Sequence, residues 1–174
     1  MGKETALAML VERHYGQLLG YLYRHVGGNR PLAEDIVQET FLRVLQQQSY
    51  QRGRPFKPWL YAIATHLVRD HFKSATVTRT VQQDEEMLLT LHDSSSGPEE
   101  QLLTLEQGKI IANALNQLAE EYRAALLLRF YNGFSLQEIA DALHIPLGTV
   151  KSRLSVGTHQ LRRLLAKTQE GWKR

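Results

Sequence analysis

The stretch FSLQEIADALHIPLGTVKSRLS, residues 134–155, predicts two short helices joined by a tight turn. Ser135 is a suitable N-cap, and Glu138 stands three residues later, where its side chain can return the hydrogen bond of a capping box. Three apolar residues at helical spacing form the buried face of the first helix: Ile139, Ala140 and Leu143. The first helix is therefore expected to begin at Ser135 and to end close to His144.

The residues that follow complete a helix-turn-helix pattern. Ile145 fills the junction between the helices, while His144 takes a turn position that often needs a left-handed backbone, which His adopts at some cost relative to Gly. Thr149 favours a helix start, and Val150 and Leu154 face back toward the first helix. The outward side of the second helix is thus predicted to lie in the major groove of DNA. An ordinary helical hairpin with a solvated basic face is the alternative.

The composition and the distribution of charge indicate a folded protein with two basic ends. The 174 residues, 43% of them apolar, suffice for one ordinary domain or two small ones. Lys and Arg outnumber Asp and Glu by ten to six in residues 1–75 and by ten to five in residues 108–174, whereas residues 76–107 hold one basic and seven acidic residues. Such asymmetry suggests nucleic-acid contact at both ends.

The same composition also indicates the cellular compartment of the protein. Without cysteine, disulfides and thiolate zinc sites are not expected, which fits a reducing cytosol. No apolar run is long enough to span a bilayer, and the first residues, MGKETALAML, lack the layout of a signal peptide. We therefore expect a cytoplasmic protein without membrane insertion.

Apolar residues recur at helical spacing along most of the chain and predict an all-α protein of two small domains. Three amphipathic helices form the first domain, residues 1–75, in which GGNRP at residues 27–31 ends the first helix and Pro58 lies near the start of the third. Residues 76–100 form an acidic linker, and residues 101–174 form a second helical domain. Several bulky residues are expected to face inward as part of these stripes: Tyr15, Leu45, Phe72, Ile111 and Phe130.

The linker is expected to be flexible, with at most a helical turn at residues 87–91. About 25 residues would reach roughly 80–90 Å when extended but would average about 25–30 Å as a coil. One turn of DNA spans about 34–36 Å. The two domains could therefore touch DNA sites about two turns apart.

Three stretches in this order resemble the bacterial RNA polymerase sigma factors of the extracytoplasmic-function (ECF) type, within the sigma-70 family: AEDIVQETFLRV (33–44), FKPWLYAIATHLVRDHFK (56–73) and FSLQEIADALHIPLGTVKSRL (134–154). The resemblance covers nearly the whole chain. It implies a protein that binds core RNA polymerase through the β and β′ subunits, recognises the −10 and −35 promoter elements and helps to open the DNA. Residues 1–75 would be sigma region 2, and residues 101–174 would be region 4.

The resemblance also implies a set of partners. Both double-stranded and melted promoter DNA are expected, together with an anti-sigma protein that holds the free factor. No cofactor and no small-molecule substrate are expected. For DIVQET, residues 35–40, it implies docking on the clamp helices of β′, carried by the polar face that remains once the apolar stripe is buried: Asp35, Gln38, Glu39 and Arg43. A simple solvated face is the alternative.

By similarity, the loop SYQRGRPFK at residues 49–57 captures an unstacked base of the melted −10 strand. Its basic side chains can hold phosphates, and its aromatic rings can stack on bases, worth roughly 1–3 kcal/mol per base. For Phe56 and Trp59 core packing is the preferred interpretation, whereas Tyr50 fits either role. On the following helix, His66 stands where the family usually has Asn, and Lys73 where it often has Arg. The predicted −10 residues are Tyr50, Arg52, Arg54, Phe56, Lys57, His66 and Lys73.

The family pattern also places −35 contacts on the second helix of the helix-turn-helix. Val156 stands where members frequently have Arg, and it could read a thymine methyl group instead of a guanine edge. Gly157 weakens a helix by roughly 1 kcal/mol relative to Ala and has no evident role in the sequence. Basic residues further along can add phosphate contacts. The predicted −35 residues are Thr149, Lys151, Ser152, Arg153, Ser155, Val156, Arg162 and Arg163.

Two other functions compete with this interpretation. A stand-alone helix-turn-helix regulator would normally dimerise, but the chain shows no heptad seam and no evident sensor pocket. A metal-dependent nuclease could use Glu34, Asp35 and Glu39, yet these carboxylates are better explained as a docking face. His66 and His71 stand five residues apart, which does not aim both at one metal. We therefore expect no enzymatic activity.

Overall fold

The computed structural model describes residues 3–46, 53–74 and 98–171, and these residues are helical without any strand. Seven helices follow one another, and the fifth continues directly into a π-helical segment, Leu127–Tyr131. They are α1 (Lys3–His25), α2 (Arg30–Gln46), α3 (Phe56–Ser74), α4 (Pro98–Asn116), α5 (Glu120–Leu126), α6 (Leu136–Leu143) and α7 (Leu147–Gly171). The predicted all-α architecture of two small helical domains is confirmed.

Helices α1, α2 and α3 form the N-terminal domain. The break between α1 and α2 uses Gly27 and Gly28 at positive φ (75° and 85°), and Asn29 then caps α2 because its Oδ1 accepts a hydrogen bond from the Leu32 N–H at 3.1 Å. Pro58 lies in the first turn of α3, where its missing N–H costs nothing. The apolar stripes meet in a common core, with Leu18, Leu22, Val37, Leu60 and Val68 fully buried.

Helices α4 to α7 and the π-helical segment form the C-terminal domain. Helix α4 already begins at Pro98, within the predicted linker of residues 76–100. The remainder of that linker, including the predicted turn at residues 87–91, lies outside the described residues, so its expected flexibility stays a prediction. Helix α7 packs against both α4 and α5.

The prediction that five bulky side chains face inward is wrong. More than a third of the surface of each is exposed: Tyr15 37%, Leu45 51%, Phe72 42%, Ile111 47% and Phe130 72%. Leu45 and Phe72 lie in the last turns of α2 and α3. Phe130 lies in the π-helical segment, where the wider i→i+5 turn rotates the chain away from the 3.6-residue period on which the prediction rested. We have no physical account of the exposure of Tyr15 and Ile111.

The two domains pack directly against each other, which the sequence did not predict. Helix α3 lies along α6, and α1 contacts the π-helical segment. The rings of Tyr61 and Phe134 meet with centroids 5.0 Å apart, and both residues are buried. One continuous apolar cluster therefore runs from α1 through α3 into α6 and α7.

Candidate nucleic-acid interface

The capping box that opens α6 is confirmed. The Ser135 hydroxyl accepts a hydrogen bond from the Glu138 N–H at 3.2 Å, and the Glu138 carboxylate accepts one from the Ser135 N–H at 2.8 Å. At the other end of α6, His144 has the left-handed backbone that was predicted, with φ 52° and ψ 48°. The Ile145 N–H then donates to the Ala140 carbonyl at 3.1 Å. These hydrogen bonds satisfy the helix ends and fix the turn between α6 and α7.

Helix α7 has one buried side and one exposed side, as a recognition helix requires. Val150 is fully buried, and Leu154 packs against the core. The residues predicted to face DNA are mostly exposed, namely Lys151, Ser152, Ser155, Val156, Arg162 and Arg163, as is the nearby Lys167. Thr149 and Arg153 are half-buried. Lys151 and Ser155, like Ser152 and Val156, are four residues apart and hence neighbours on one face of the helix.

Gly157, for which the sequence suggested no role, lies where α7 crosses α5. It is buried, and a Cβ at this position would stand 3.2 Å from the Tyr122 Cβ and 3.3 Å from the Leu126 Cδ1. The missing side chain therefore lets the two helices approach closely. The recognition helix is positioned on α5 by this contact.

The predicted −10 residues lie mainly on α3 and on the loop before it. Tyr50 and Arg52 lie outside the described residues. Phe56 is half-buried, with its ring centroid 5.3 Å from that of His14 and 5.7 Å from that of Trp59. Lys73 is exposed at the end of α3.

Three further residues predicted to contact the −10 element lie near the C-terminal domain, although Arg54 and His66 remain exposed and Lys57 is half-buried. The Lys57 ammonium lies 5.0 Å from the Phe134 ring centroid and 3.5 Å from the Asn132 carbonyl oxygen. The ring centroids of His66 and His144 are 5.5 Å apart. Arg54 lines a groove of about 480 Å³, whose opposite wall belongs to the helix-turn-helix.

Positive charge concentrates near this loop. The pKa of His14 is lowered, first because the ring is partly buried and then because Arg13 and Lys57 lie nearby. His14 is therefore mostly neutral at pH 7. Its ring can pack on Phe56 without adding a buried charge.

The predicted polymerase-binding residues form the outward side of α2. Asp35, Gln38 and Glu39 are exposed, and Arg43 is half-buried. The Arg43 Nε donates to the Glu39 carboxylate at 3.0 Å. The opposite side of the helix is buried through Ala33, Ile36, Val37, Thr40 and Phe41. The polar set thus shares one accessible face.

Sequence reasoning missed a cluster of polar and charged side chains between the domains, two of which are buried. His25 and Arg123 are 0% and 5% exposed, and Glu120 bridges His25 and Arg69. In the sequence, these residues stand near helix ends, where charged side chains are normally solvated, so no pattern marks them. Within the described ranges, no group of three or more His, Asp or Glu could hold a metal ion, and no helix is long and apolar enough to cross a bilayer.

Comparison with known proteins decides the family. Residues 10–78 match the family Sigma-70 region 2, and residues 108–157 match Sigma-70, region 4. The ECF RNA polymerase sigma factor SigW of Bacillus subtilis is 32% identical over 171 residues, which cover 94% of this chain and 91% of SigW. The chain belongs to the ECF RNA polymerase sigma factors.

As an ECF sigma factor, the protein directs transcription initiation with core RNA polymerase at promoter DNA. SigL of Mycobacterium tuberculosis, also an ECF RNA polymerase sigma factor, is 34% identical over 166 residues, covering 92% of each chain. A stand-alone regulator is not favoured, because these sigma factors match this chain along both domains and not only at the helix-turn-helix.

Solved structures share the fold. CnrH, in complex with the cytosolic domain of CnrY, superposes with a TM-score of 0.69 at 24% identity and covers 95% of this chain and 91% of its own. RpoE of Bartonella quintana, in complex with the anti-sigma factor NepR, has a TM-score of 0.67 at 21% identity and covers 94% of this chain and 96% of its own.

Proposed function

We propose that the two domains of this sigma factor divide promoter recognition between them. Residues 1–75 would dock on core polymerase and read and open the −10 element, residues 76–100 would connect the domains, and residues 101–174 would read the −35 element. The observation that carries this division is α7, whose buried Val150 side and exposed Lys151 side fit a helix lying in the major groove.

The outward side of α2 is the proposed polymerase contact. Asp35, Gln38, Glu39 and Arg43 share this side, and none of them is needed for the core. Charged residues at the rim of an interface raise the association rate and fix its register. Docking here would leave the opposite, apolar side of α2 packed in the N-terminal domain.

On α7, Lys151, Ser152, Ser155 and Val156 are the proposed base or phosphate contacts, with Thr149 and Arg153 beside them and Arg162 and Arg163 on phosphates further along. The −10 contacts are proposed for Tyr50, Arg52, Arg54, Phe56, Lys57, His66 and Lys73. The binding energy of both elements and of polymerase would offset the few kcal/mol needed to extrude a base from the stack.

The protein itself would catalyse no covalent step and would act in the cytoplasm. An anti-sigma protein is a further proposed partner, supported by the folds of CnrH and RpoE, which were solved with CnrY and NepR. A magnesium-dependent DNA cleavage activity of the purified protein would contradict the first of these statements.

In-vitro transcription with core polymerase on a library of random promoters tests the proposal. We expect selected templates to share two elements about two helical turns apart. Truncation to residues 1–75 should remove the requirement for the upstream element. Failure of the purified factor to bind core enzyme or to initiate on any template would refute it.

A further inference from the structure

We propose that His66 of α3 and His144, the C-cap residue of α6, form a binding site for one divalent transition-metal ion of the Zn²⁺, Ni²⁺ or Cu²⁺ class. The ring centroids of the two histidines are 5.5 Å apart, although they belong to different helices. Imidazole nitrogen is a suitable ligand for all three ions. The site goes beyond the proposed function, and it can be tested without polymerase or DNA.

The distance between the two rings fits a shared metal ion. A Zn²⁺ ion lies about 2.0–2.1 Å from a histidine nitrogen, so tetrahedral coordination by two imidazoles places their ring centroids roughly 5 Å apart. The observed separation of the centroids is 5.5 Å, and the ring planes are inclined at 49° instead of stacking in parallel. Both side chains are exposed. A small adjustment of two side chains at the surface is therefore sufficient to bind one ion between them.

The hydrogen bond of His66 leaves its other ring nitrogen available to a metal. The His66 Nδ1 lies 3.2 Å from the Ala62 carbonyl oxygen. Because a carbonyl oxygen can only accept, the proton of the neutral ring is on Nδ1 and the lone pair is on Nε2. Histidines that bind metals usually donate their second ring N–H to a carbonyl or a carboxylate in this way, which fixes the orientation of the ring. His66 therefore has the tautomer and the hydrogen bond of a metal ligand.

His144 stands at a position where the backbone does not favour histidine. Its φ of 52° and ψ of 48° are left-handed, and among the described residues it is the only one besides glycines with a positive φ. Glycine adopts this conformation without cost, whereas histidine adopts it at some cost. The side chain is exposed and is not part of the hydrophobic core. Metal binding gives a reason for an imidazole here that neither the turn nor the core provides.

The surroundings of the two rings are open to a hydrated cation. His144 and Asp141 line the groove of about 480 Å³, and Asp70 follows His66 by one helical turn on the same side of α3. Both carboxylates are exposed, and they offset the positive charge of Arg54 in the groove wall. Neither is a third ligand, because no group of three or more His, Asp or Glu within the described ranges could hold a metal ion. Water would therefore complete the coordination.

A bound ion would join α3 to α6 and so stabilise the folded chain. Two ligands held in place bind one ion more tightly than a single ligand does, because the second bond forms at a high effective concentration. An ion that binds only the folded state raises the unfolding midpoint once its concentration exceeds Kd. Cu²⁺ should bind more tightly than Ni²⁺, and Mg²⁺, which prefers oxygen ligands and keeps its water, should not bind here.

Titration of the full-length protein with metal tests the site. Isothermal titration calorimetry with NiCl₂, on protein without an affinity tag and at about pH 8, where imidazole is neutral, should show one ion bound per chain. His66→Asn and His144→Asn should each weaken binding by at least about tenfold. The matched controls are His71→Asn on α3 and His159→Asn on α7, each of which removes one exposed imidazole and should leave the affinity unchanged. Equal affinities in all four variants would overturn the proposal.

Thermal melts separate metal binding from a loss of folding. Asparagine is polar and tolerates a left-handed backbone, so His66→Asn and His144→Asn should both fold without metal, which circular dichroism checks. Saturating NiCl₂ should raise the unfolding midpoint of the wild type and of the two controls, but not that of His66→Asn or His144→Asn. A midpoint that rises equally in these two variants and in the controls would contradict the site.

The Cu²⁺ complex of the wild type gives a test that needs no variant to fold. Electron paramagnetic resonance should detect two imidazole nitrogens bound to the ion, and a single nitrogen would overturn the proposal. Light scattering should give the same molar mass with and without metal, because both ligands belong to one chain. Association that depends on metal, and that His66→Asn or His144→Asn abolishes, would place the ion between molecules and would refute a site within the chain.

Discussion

Adding a single methyl group at Gly20 should weaken the contact between the domains without damaging either domain. A Cβ at Gly20 would overlap the Tyr131 hydroxyl and stand 3.1 Å from the Tyr131 Cζ. The ring is held in place by the Arg24 guanidinium, 4.2 Å from its centroid. Overpacking of this kind typically costs about 1–3 kcal/mol. Because the clash is with the other domain, this cost applies only while the two domains are packed together.

A second effect of the same substitution has the opposite sign. Replacing a helical Gly by Ala stabilises a helix by up to about 1 kcal/mol, and α1 gains this whether or not the domains are packed together. Gly16→Ala on the same helix supplies the control, since a Cβ there meets nothing within 4 Å. Gly16→Ala should therefore raise the unfolding midpoint of the N-terminal domain and leave the domain contact unchanged.

Fluorescence energy transfer between labels on cysteines at Glu12 and Thr168, both exposed, measures the contact. Gly20→Ala should lower the ratio of protein with packed domains to protein with separated domains by about 5- to 150-fold, which corresponds to the overpacking cost. Tyr131→Phe, which removes the overlapping oxygen, should restore part of the transfer in the double variant. If Gly20→Ala and Gly16→Ala give the same transfer efficiency, the reasoning is refuted.

Three other predictions concern docking, DNA reading and pH. Asp35→Asn with Glu39→Gln should weaken binding to core polymerase in a pull-down, with duplex −35 affinity unchanged; a parallel loss of both would point to misfolding. Lys151→Ala should cost about 1–3 kcal/mol at one promoter position if it reads a base, and in a binding series over variant sites a uniform loss would make it a phosphate contact instead. The pKa of His25 is lowered by burial, although the hydrogen bond and charge of Glu120 raise it, so the folded protein binds fewer protons there than the unfolded chain. Stability should then fall as pH drops from about 7 to 5, and in thermal melts His25→Gln should reduce this slope, although His14 will keep part of it.

The groups that face His25 also determine how stability changes with pH. Burial alone would raise the pKa of Glu120, but the hydrogen bond and charge of His25 together with Arg69 lower it. Glu120 therefore contributes stability above its ordinary pKa and loses it as pH falls. The positive charges of Arg123 and Arg69 oppose protonation of His25 and so help to lower its pKa. Tyr21, whose pKa is raised by burial, remains neutral throughout this range. Protonation of His25 and of Glu120 thus destabilises the folded protein in acid.

Much of each domain could be predicted from the sequence because local signals and burial agree there. Ser135, Glu138 and His144 mark the ends of α6 by their own chemistry, and each has the predicted hydrogen bond or backbone conformation. The polar side of α2 is likewise what remains after Ile36 and Val37 are buried. The exposure of Phe130 was not predicted, because a π-helical turn changes the helical period and no sequence signal marks it.

The contact between the domains could not be predicted, since periodicity describes one helix at a time. Tyr61 and Phe134 belong to ordinary apolar stripes, and nothing in either stripe indicates that the two rings meet. In the sequence, Gly157 and Gly20 are only residues of low helix propensity, yet each allows a neighbouring helix to approach. Close approach depends on the partner that arrives, and that partner is distant in sequence.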